Sequence, residues 1–138
     1  MNNPLAFKTL VMVALGGALG ATMRAMIGDL FHQSGPTGFP FYLVIVNILG
    51  CLYLGFVAGL VECKVWHPRQ QWIQGSGIAG ALTTFSAMAA ASVELWLNQQ
   101  YLAVAGFLLL QLVLGLAVCM FAMFLVSNWH QRRLRRVS

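Results

Sequence analysis

The sequence predicts an all-α membrane protein of four transmembrane helices, and three observations carry that prediction. Of its 138 residues, 59% are hydrophobic and only 8% are charged, whereas soluble domains run about 45–50% apolar and about 25% charged. The charged residues lie at the margins of long uncharged windows, 9–23, 30–61, 70–93 and 95–131. A membrane-spanning helix needs roughly 20 mostly apolar residues, so each of the last three windows holds a span, and the first holds one with Lys8 and Arg24 at its ends. Runs such as 107–123 also lack the alternation of apolar and polar residues that a transmembrane barrel of strands requires. The same composition excludes a water-soluble enzyme.

Helix 1 is expected at about 5–28, where Gly16 and Gly20 stand four apart and line one face. Helix 2, at 39–61, repeats the spacing with Gly55 and Gly59. Both pairs are read as packing faces that let another backbone come close. Helix 3, at 71–97, differs. Gly75, Gly77 and Gly80 fall within six residues and are followed by Thr83, Thr84, Phe85 and Ser86, midway along an apolar span. Glycine costs about 1 kcal/mol of helix propensity against Ala, so helix 3 is expected to break in this segment. Backbone groups freed inside a membrane are tolerated only where protein buries them or they coordinate something. On pattern alone, an ion site and a tightly packed glycine seam fit equally well. Helix 4 is expected at 101–126, with Arg132, Arg133, Arg135 and Arg136 following it. What remains is too short for a soluble module, so the chain is one domain, 1–138.

An even helix count puts both termini and the loop between helices 2 and 3 on one side of the membrane. That side carries Lys8, Lys64, Arg69 and the four tail arginines, against Arg24 alone on the other. The positive-inside rule makes it the cytoplasmic side. The basic tail suits anionic headgroups. With no soluble module to carry it, binding of nucleic acid is not expected. A secretory signal peptide is the competing reading of the N-terminus, with Lys8 before the apolar run and Gly20-Ala21 as a cleavage site, but its glycines belong to a longer motif described below.

Cys51, Cys63 and Cys119 show no redox or zinc spacing. His32, His67 and His130 are far apart and have no acidic or cysteine partner at ligand spacing. Asp29, Glu62 and Glu94 all fall at helix ends, so no carboxylate is available inside a span to exchange a proton for a cation. No nucleophile and base are paired, and the chain is not expected to be an enzyme. Its interior offers uncharged hydrogen-bonding groups and glycine.

Three motifs in order, Gly16-Gly-Ala-Leu-Gly20-Ala-Thr-Met-Arg24, Val46-Asn47-Ile-Leu-Gly50 and Gly77-Ile-Ala-Gly80-Ala-Leu-Thr83-Thr84-Phe85-Ser86, resemble those of the Fluc (CrcB) fluoride channels of bacteria. The resemblance covers essentially the whole chain, since length and four-helix layout agree. It implies a fluoride-selective channel of the bacterial inner membrane that lowers cytoplasmic fluoride by passive efflux. It also implies a dimer of two oppositely oriented subunits, with a structural sodium ion at the centre of the interface. By position, the sodium ligands are the backbone carbonyls of Gly80 and Thr83 from each subunit, a set of oxygens that suits a hard cation. The fluoride pathway falls on Asn47 as an amide donor and on Phe85, whose ring edge is the positive part of its quadrupole. Thr84 and Ser86 stand beside them as hydroxyl donors, and Arg24 falls at a vestibule. Taken alone, Phe85 reads equally as lipid-facing or core, Thr84 and Ser86 as back-bonded to their own helix, and Arg24 as snorkelling to headgroups.

The chain departs from the family pattern in three places. Met88 stands where a second phenylalanine is usual, and a thioether has no positive edge. Ala91 stands where the family carries a glutamate, and Glu94, three positions later, does not inherit that role. In helix 4 the usual polar track is reduced to Gln111 and Gly115, with Gln111 the one plausible donor. The charge bias of seven against one also differs from what a chain inserting in both orientations needs. It leaves two partners open: a second copy in an antiparallel homodimer, or an oppositely oriented homologue in a heterodimer. Two other functions compete with a channel: a small multidrug-type exporter, for which residues 11–26 lack the required carboxylate, and a non-conducting subunit of a paired channel.

Overall fold

The computed structural model describes residues 4–31 and 38–136. His32 and part of the loop after helix 1 lie outside them. The described residues form α1 (Pro4–Phe31), α2 (Phe41–Glu62), a π-helical segment (Gln71–Ala79) that runs directly into the single turn α3 (Gly80–Leu82), α4 (Phe85–Leu97) and α5 (Tyr101–Leu134). Four stretches are long and apolar enough to cross a membrane, the third being the composite Gln71–Leu97. The expected four-helix membrane architecture with an interrupted helix 3 is what the chain adopts.

The boundaries shift for local reasons. Pro40 has no N–H and disfavours helical geometry at the residue before it, so α2 begins at Phe41 rather than at residue 39. α5 continues to Leu134, past the expected end at residue 126. At 1.5 Å per residue it is about 50 Å long, against a hydrocarbon core of about 30 Å. Its last two turns therefore leave the bilayer, where polar residues cost nothing. There Arg132 and Arg133 complement the helix dipole, and the Arg133 guanidinium lies 5.6 Å from the Trp129 ring centroid.

Lipid tails are as apolar as leucine, so close packing and hydrogen bonds must hold the helices together. The glycines supply the close packing along two seams. In the first, α1 runs parallel to the start of helix 3: a Cβ on Gly16 would lie 2.9 Å from the Ile73 carbonyl oxygen, one on Gly77 2.9 Å from that of Val13, and one on Gly20 would strike that of Ile78. In the second, α2 runs parallel to α5, with Gly55 against the Cys119 backbone and Gly59 against Met123 and Val126. The packing role expected of these glycines is thus met, and each pair has its partner. The opposite end is closed by side chains: Leu43, Val44, Leu95 and Phe107 form a buried cluster, flanked by Met88 and Ala91, and Phe39 meets Phe107 edge-on at 5.5 Å.

Two helix ends close with a residue in the left-handed region where glycine is usual. Lys64 (φ 57) ends α2 and Gln99 (φ 60) ends α4. In each case the next N–H reaches back to a carbonyl five residues earlier, Val65 to Leu60 and Gln100 to Leu95, both at 3.0 Å, which is the Schellman closure. The parallel pairing of α1 with helix 3 and of α2 with α5 puts Lys8, Lys64, Arg69 and the tail arginines at one end of the bundle.

Candidate functional site

Helix 3 breaks within the expected segment, but at its threonine end rather than at its glycines. The glycine stretch stays helical in a wider form, with the Gly80 N–H donating to the Gly75 carbonyl five residues back, and within it Gly77 packs bare against the α1 backbone. Thr83 (φ −73, ψ 156) and Thr84 (φ −146, ψ 117) are extended, the conformation β-branched residues favour. The last helical bond before the break is Thr83 N–H to the Ala79 carbonyl at 3.0 Å. Beyond it, the Thr84 hydroxyl caps α4 by accepting from the Ala87 N–H at 3.2 Å.

Asn47 holds the break open. Its Oδ1 accepts from the Thr84 N–H at 2.8 Å, and its Nδ2 donates to the Thr84 carbonyl at 3.4 Å and to Gln111 Oε1 at 3.1 Å. One carboxamide thus pairs with both polar groups of Thr84, as a neighbouring strand would. Three residues on, Gly50 provides the room: a Cβ there would strike the Thr83 methyl group. Gln111, on α5, is 8% exposed, and its Nε2 is buried with no hydrogen-bond partner.

The carbonyls of residues 80–83 leave the helical ladder at the break, and two of them find side-chain donors. The Thr84 N–H that would bond Gly80 is taken by Asn47, and the Ala87 N–H that would bond Thr83 is taken by the Thr84 hydroxyl. Gly80, itself exposed, then receives the Thr83 hydroxyl at 3.4 Å, and the Thr83 carbonyl receives Arg24 Nη1 at 3.4 Å. Both oxygens are of the donor type that hard cations take, and in the single chain each already accepts a hydrogen bond. Among the described residues no His, Cys, Asp or Glu cluster offers another metal site.

Arg24 lies in a cleft of about 320 Å³ that also includes Ala21, Gly28, Asp29, Tyr42 and Thr84. Its guanidinium therefore faces the break as well as open space, and does not snorkel away from it. Phe85 is 78% exposed, on the outside of the single chain. Met88 turns to the buried cluster instead, so the two positions of the family's ring pair point to different surroundings here. Ser86 is exposed and lies 3.4 Å from the Thr84 hydroxyl. Ala91 packs beside Met88, and Glu94 lines a separate cavity of about 80 Å³ with Asn98 and Gln100. The structure thus brings Arg24, Asn47, Thr83, Thr84, Ser86 and Gln111 into one connected set. Sequence reasoning missed Asp29 and Tyr42 at the cleft. Their spacing around the turn after helix 1 carries no motif, and only the packing of α1 on α2 reveals them.

Fold and site define a polytopic helical membrane protein centred on one interrupted span, which uncharged donors and acceptors and one arginine hold. A family model described as CrcB-like protein, Camphor Resistance (CrcB), matches residues 11–123. The chain is 40% identical over 112 residues to a protein of Nitratidesulfovibrio vulgaris named Fluoride-specific ion channel FluC, across 80% of this chain and 90% of that one. It is 38% identical over 125 residues to a protein of the same name from Shewanella pealeana, across 91% and 93%. The chain belongs to the CrcB family. Its relatives are named as ion channels, not enzymes, in agreement with the sequence expectation.

Proposed function

We propose that this protein is a fluoride-selective channel that lowers cytoplasmic fluoride by passive efflux across the bacterial inner membrane. The observation that carries the reading is the interrupted helix, whose freed Thr84 N–H is taken by the uncharged Asn47, itself bonded to Gln111, and whose Thr83 carbonyl accepts from Arg24, with no carboxylate bonded to the break. The relatives' names supply the ion. Fluoride is small and strongly hydrated, so a pathway must replace its water shell with donors, yet hold it weakly enough for release. Asn47, Thr84, Ser86 and Gln111 supply such donors, and Phe85 and Met88 stand at the family's ring positions on α4. Arg24 stands beside the break in a cleft it shares with Asp29, and offers an anion a guanidinium there.

The assembly is an antiparallel dimer in this reading, because Phe85, Ser86 and Gly80 lie on the exposed face of one chain and need a second to enclose them. The Gly80 and Thr83 carbonyls of both subunits hold a structural sodium ion, which supplies a fixed positive centre between the broken helices. Both termini are cytoplasmic. The seven-to-one distribution of Lys and Arg favours insertion one way, which supports a second form of the reading: pairing with an oppositely oriented homologue. Fluoride efflux of Asn47→Ala and Phe85→Ile, each against the unaltered chain in liposomes, tests the site. Both variants should lose most of their flux. Undiminished flux in both would mean that these residues do not line the pathway and that the chain serves only to pack against a conducting partner.

A further inference from the structure

The cleft of about 320 Å³ beside the break is lined by one cation, Arg24, and one anion, Asp29, among uncharged residues. Both stand on α1, five residues apart, so Asp29 lies about 7.5 Å further along the helix axis, toward the end of the bundle away from Lys8. Arg24 donates to the Thr83 carbonyl rather than to Asp29, and Asp29 is exposed. The carboxylate therefore acts on the guanidinium through space and not through a bond. Helix formation gives no reason for an acid at this position. Asp29 falls in the last turn of α1, where the negative end of the helix dipole disfavours a carboxylate. Glu94, the other acid at this end of the bundle, lines a separate cavity and leaves the charge balance of the cleft to Asp29.

We infer that Asp29 is the counter-charge that cancels the field of Arg24 in this cleft, so that the mouth can pass a small anion without accumulating anions. The inference rests on the channel reading and deepens it, by naming a residue that sets how strongly the mouth draws anions. A cleft lined by one sign of charge concentrates ions of the other sign. With both signs present, this cleft is formally neutral. At about 8 Å, a unit charge alters the local concentration of a monovalent ion about two- to threefold in water, and by more where protein lowers the dielectric. Asp29 thus offsets a large part of the attraction of Arg24 for an anion, and a pathway must hold its ion weakly enough to release it.

Charged thiol reagents read this field without any ion being conducted. Ala25 lines the cleft and is exposed, so Ala25→Cys in nanodiscs reports on it, with the chain lacking that substitution as the blank for its own cysteines. The quantity measured is the modification rate with a sulfonate-bearing methanethiosulfonate divided by that with a trimethylammonium-bearing one. At about 0.01 M salt the Debye length is about 30 Å. Under that condition Asp29→Asn, added to Ala25→Cys, should raise the ratio about fivefold or more, and Asp29→Glu should leave it unchanged. At about 1 M salt, with a Debye length of about 3 Å, the ratios should coincide. Fluoride flux into liposomes at low salt should rise about two- to threefold in Asp29→Asn alone, and high salt should remove the gain. An unchanged ratio in Asp29→Asn, or a change that high salt leaves in place, would overturn the inference. A ratio that shifts as expected in a chain that conducts no fluoride would keep the counter-charge and overturn the channel reading.

Discussion

Replacing Gly20 by Ala tests how the fold positions the site. A Cβ at this position would overlap the Ile78 carbonyl oxygen and lie 3.1 Å from both the Ile78 carbonyl carbon and the Leu82 nitrogen. All three are backbone atoms of helix 3, so no rotamer change relieves them. α1 must retreat by roughly 1 Å to reach ordinary contact distances, a gap that forfeits a quarter to a half of the dispersion energy along the seam. Overpacking of this kind costs about 1–3 kcal/mol. Arg24 sits one turn beyond Gly20 on the same face, and its 3.4 Å contact with the Thr83 carbonyl is already at the limit of a hydrogen bond. The same displacement breaks it. Gly106→Ala is the matched control, since a Cβ there meets nothing within 4 Å. Both variants gain the same helix propensity, so it cancels in the comparison and only the collision remains. Reversible unfolding in mixed micelles, followed by tryptophan fluorescence, should place Gly20→Ala about 1–3 kcal/mol below Gly106→Ala. Equal stability of the two would refute the assignment of the Gly20 face to the Ile78–Leu82 backbone.

Three further outcomes follow from the same structure. Asn47→Ala leaves the Thr84 N–H and Gln111 Oε1 without their partner and should cost about 2–6 kcal/mol in the same unfolding assay, the sum of two orphaned groups. Gly50→Ala should be destabilising because its Cβ meets the Thr83 methyl, and adding Thr83→Ser, which removes that methyl, should recover part of the loss. A double-mutant cycle with no coupling would contradict the contact. Gln99→Gly should stabilise by about 0.5–1 kcal/mol, because it relieves a left-handed residue at φ 60, and a loss of stability there would contradict the Schellman closure of α4.

Most of the architecture was legible because membrane helices declare themselves by composition. The uncharged windows located all four spans, and the paired glycines at 16/20 and 55/59 marked the two seams without saying which helices they join. The interruption of helix 3 was legible as a segment, since three glycines lower helix propensity there and three hydroxyl residues follow them in an apolar span. Its position was not. Propensity points to the glycines, but that stretch stays helical with Gly77 seated against α1, and the chain opens where Thr83 and Thr84 prefer extended geometry and Asn47 can take the released N–H. The clamp itself joins residues 37 and 64 positions apart in sequence, and no local pattern encodes such a pairing. Met88 reads by spacing as a neighbour of Phe85 on one face, yet it turns inward because Leu95 and Phe107 form a pocket that only tertiary packing creates. Basic residues past residue 126 end a hydrophobic span but not a helix, which is why α5 outran its expected end.

Ion efflux from liposomes that contain this single purified chain, measured for fluoride and for chloride in parallel, tests fluoride-selective conduction most directly. A selective channel should release fluoride rapidly with chloride retained, and Asn47→Ala should lose the fluoride signal. Release of both ions at similar rates, or fluoride release that survives Asn47→Ala undiminished, would contradict it.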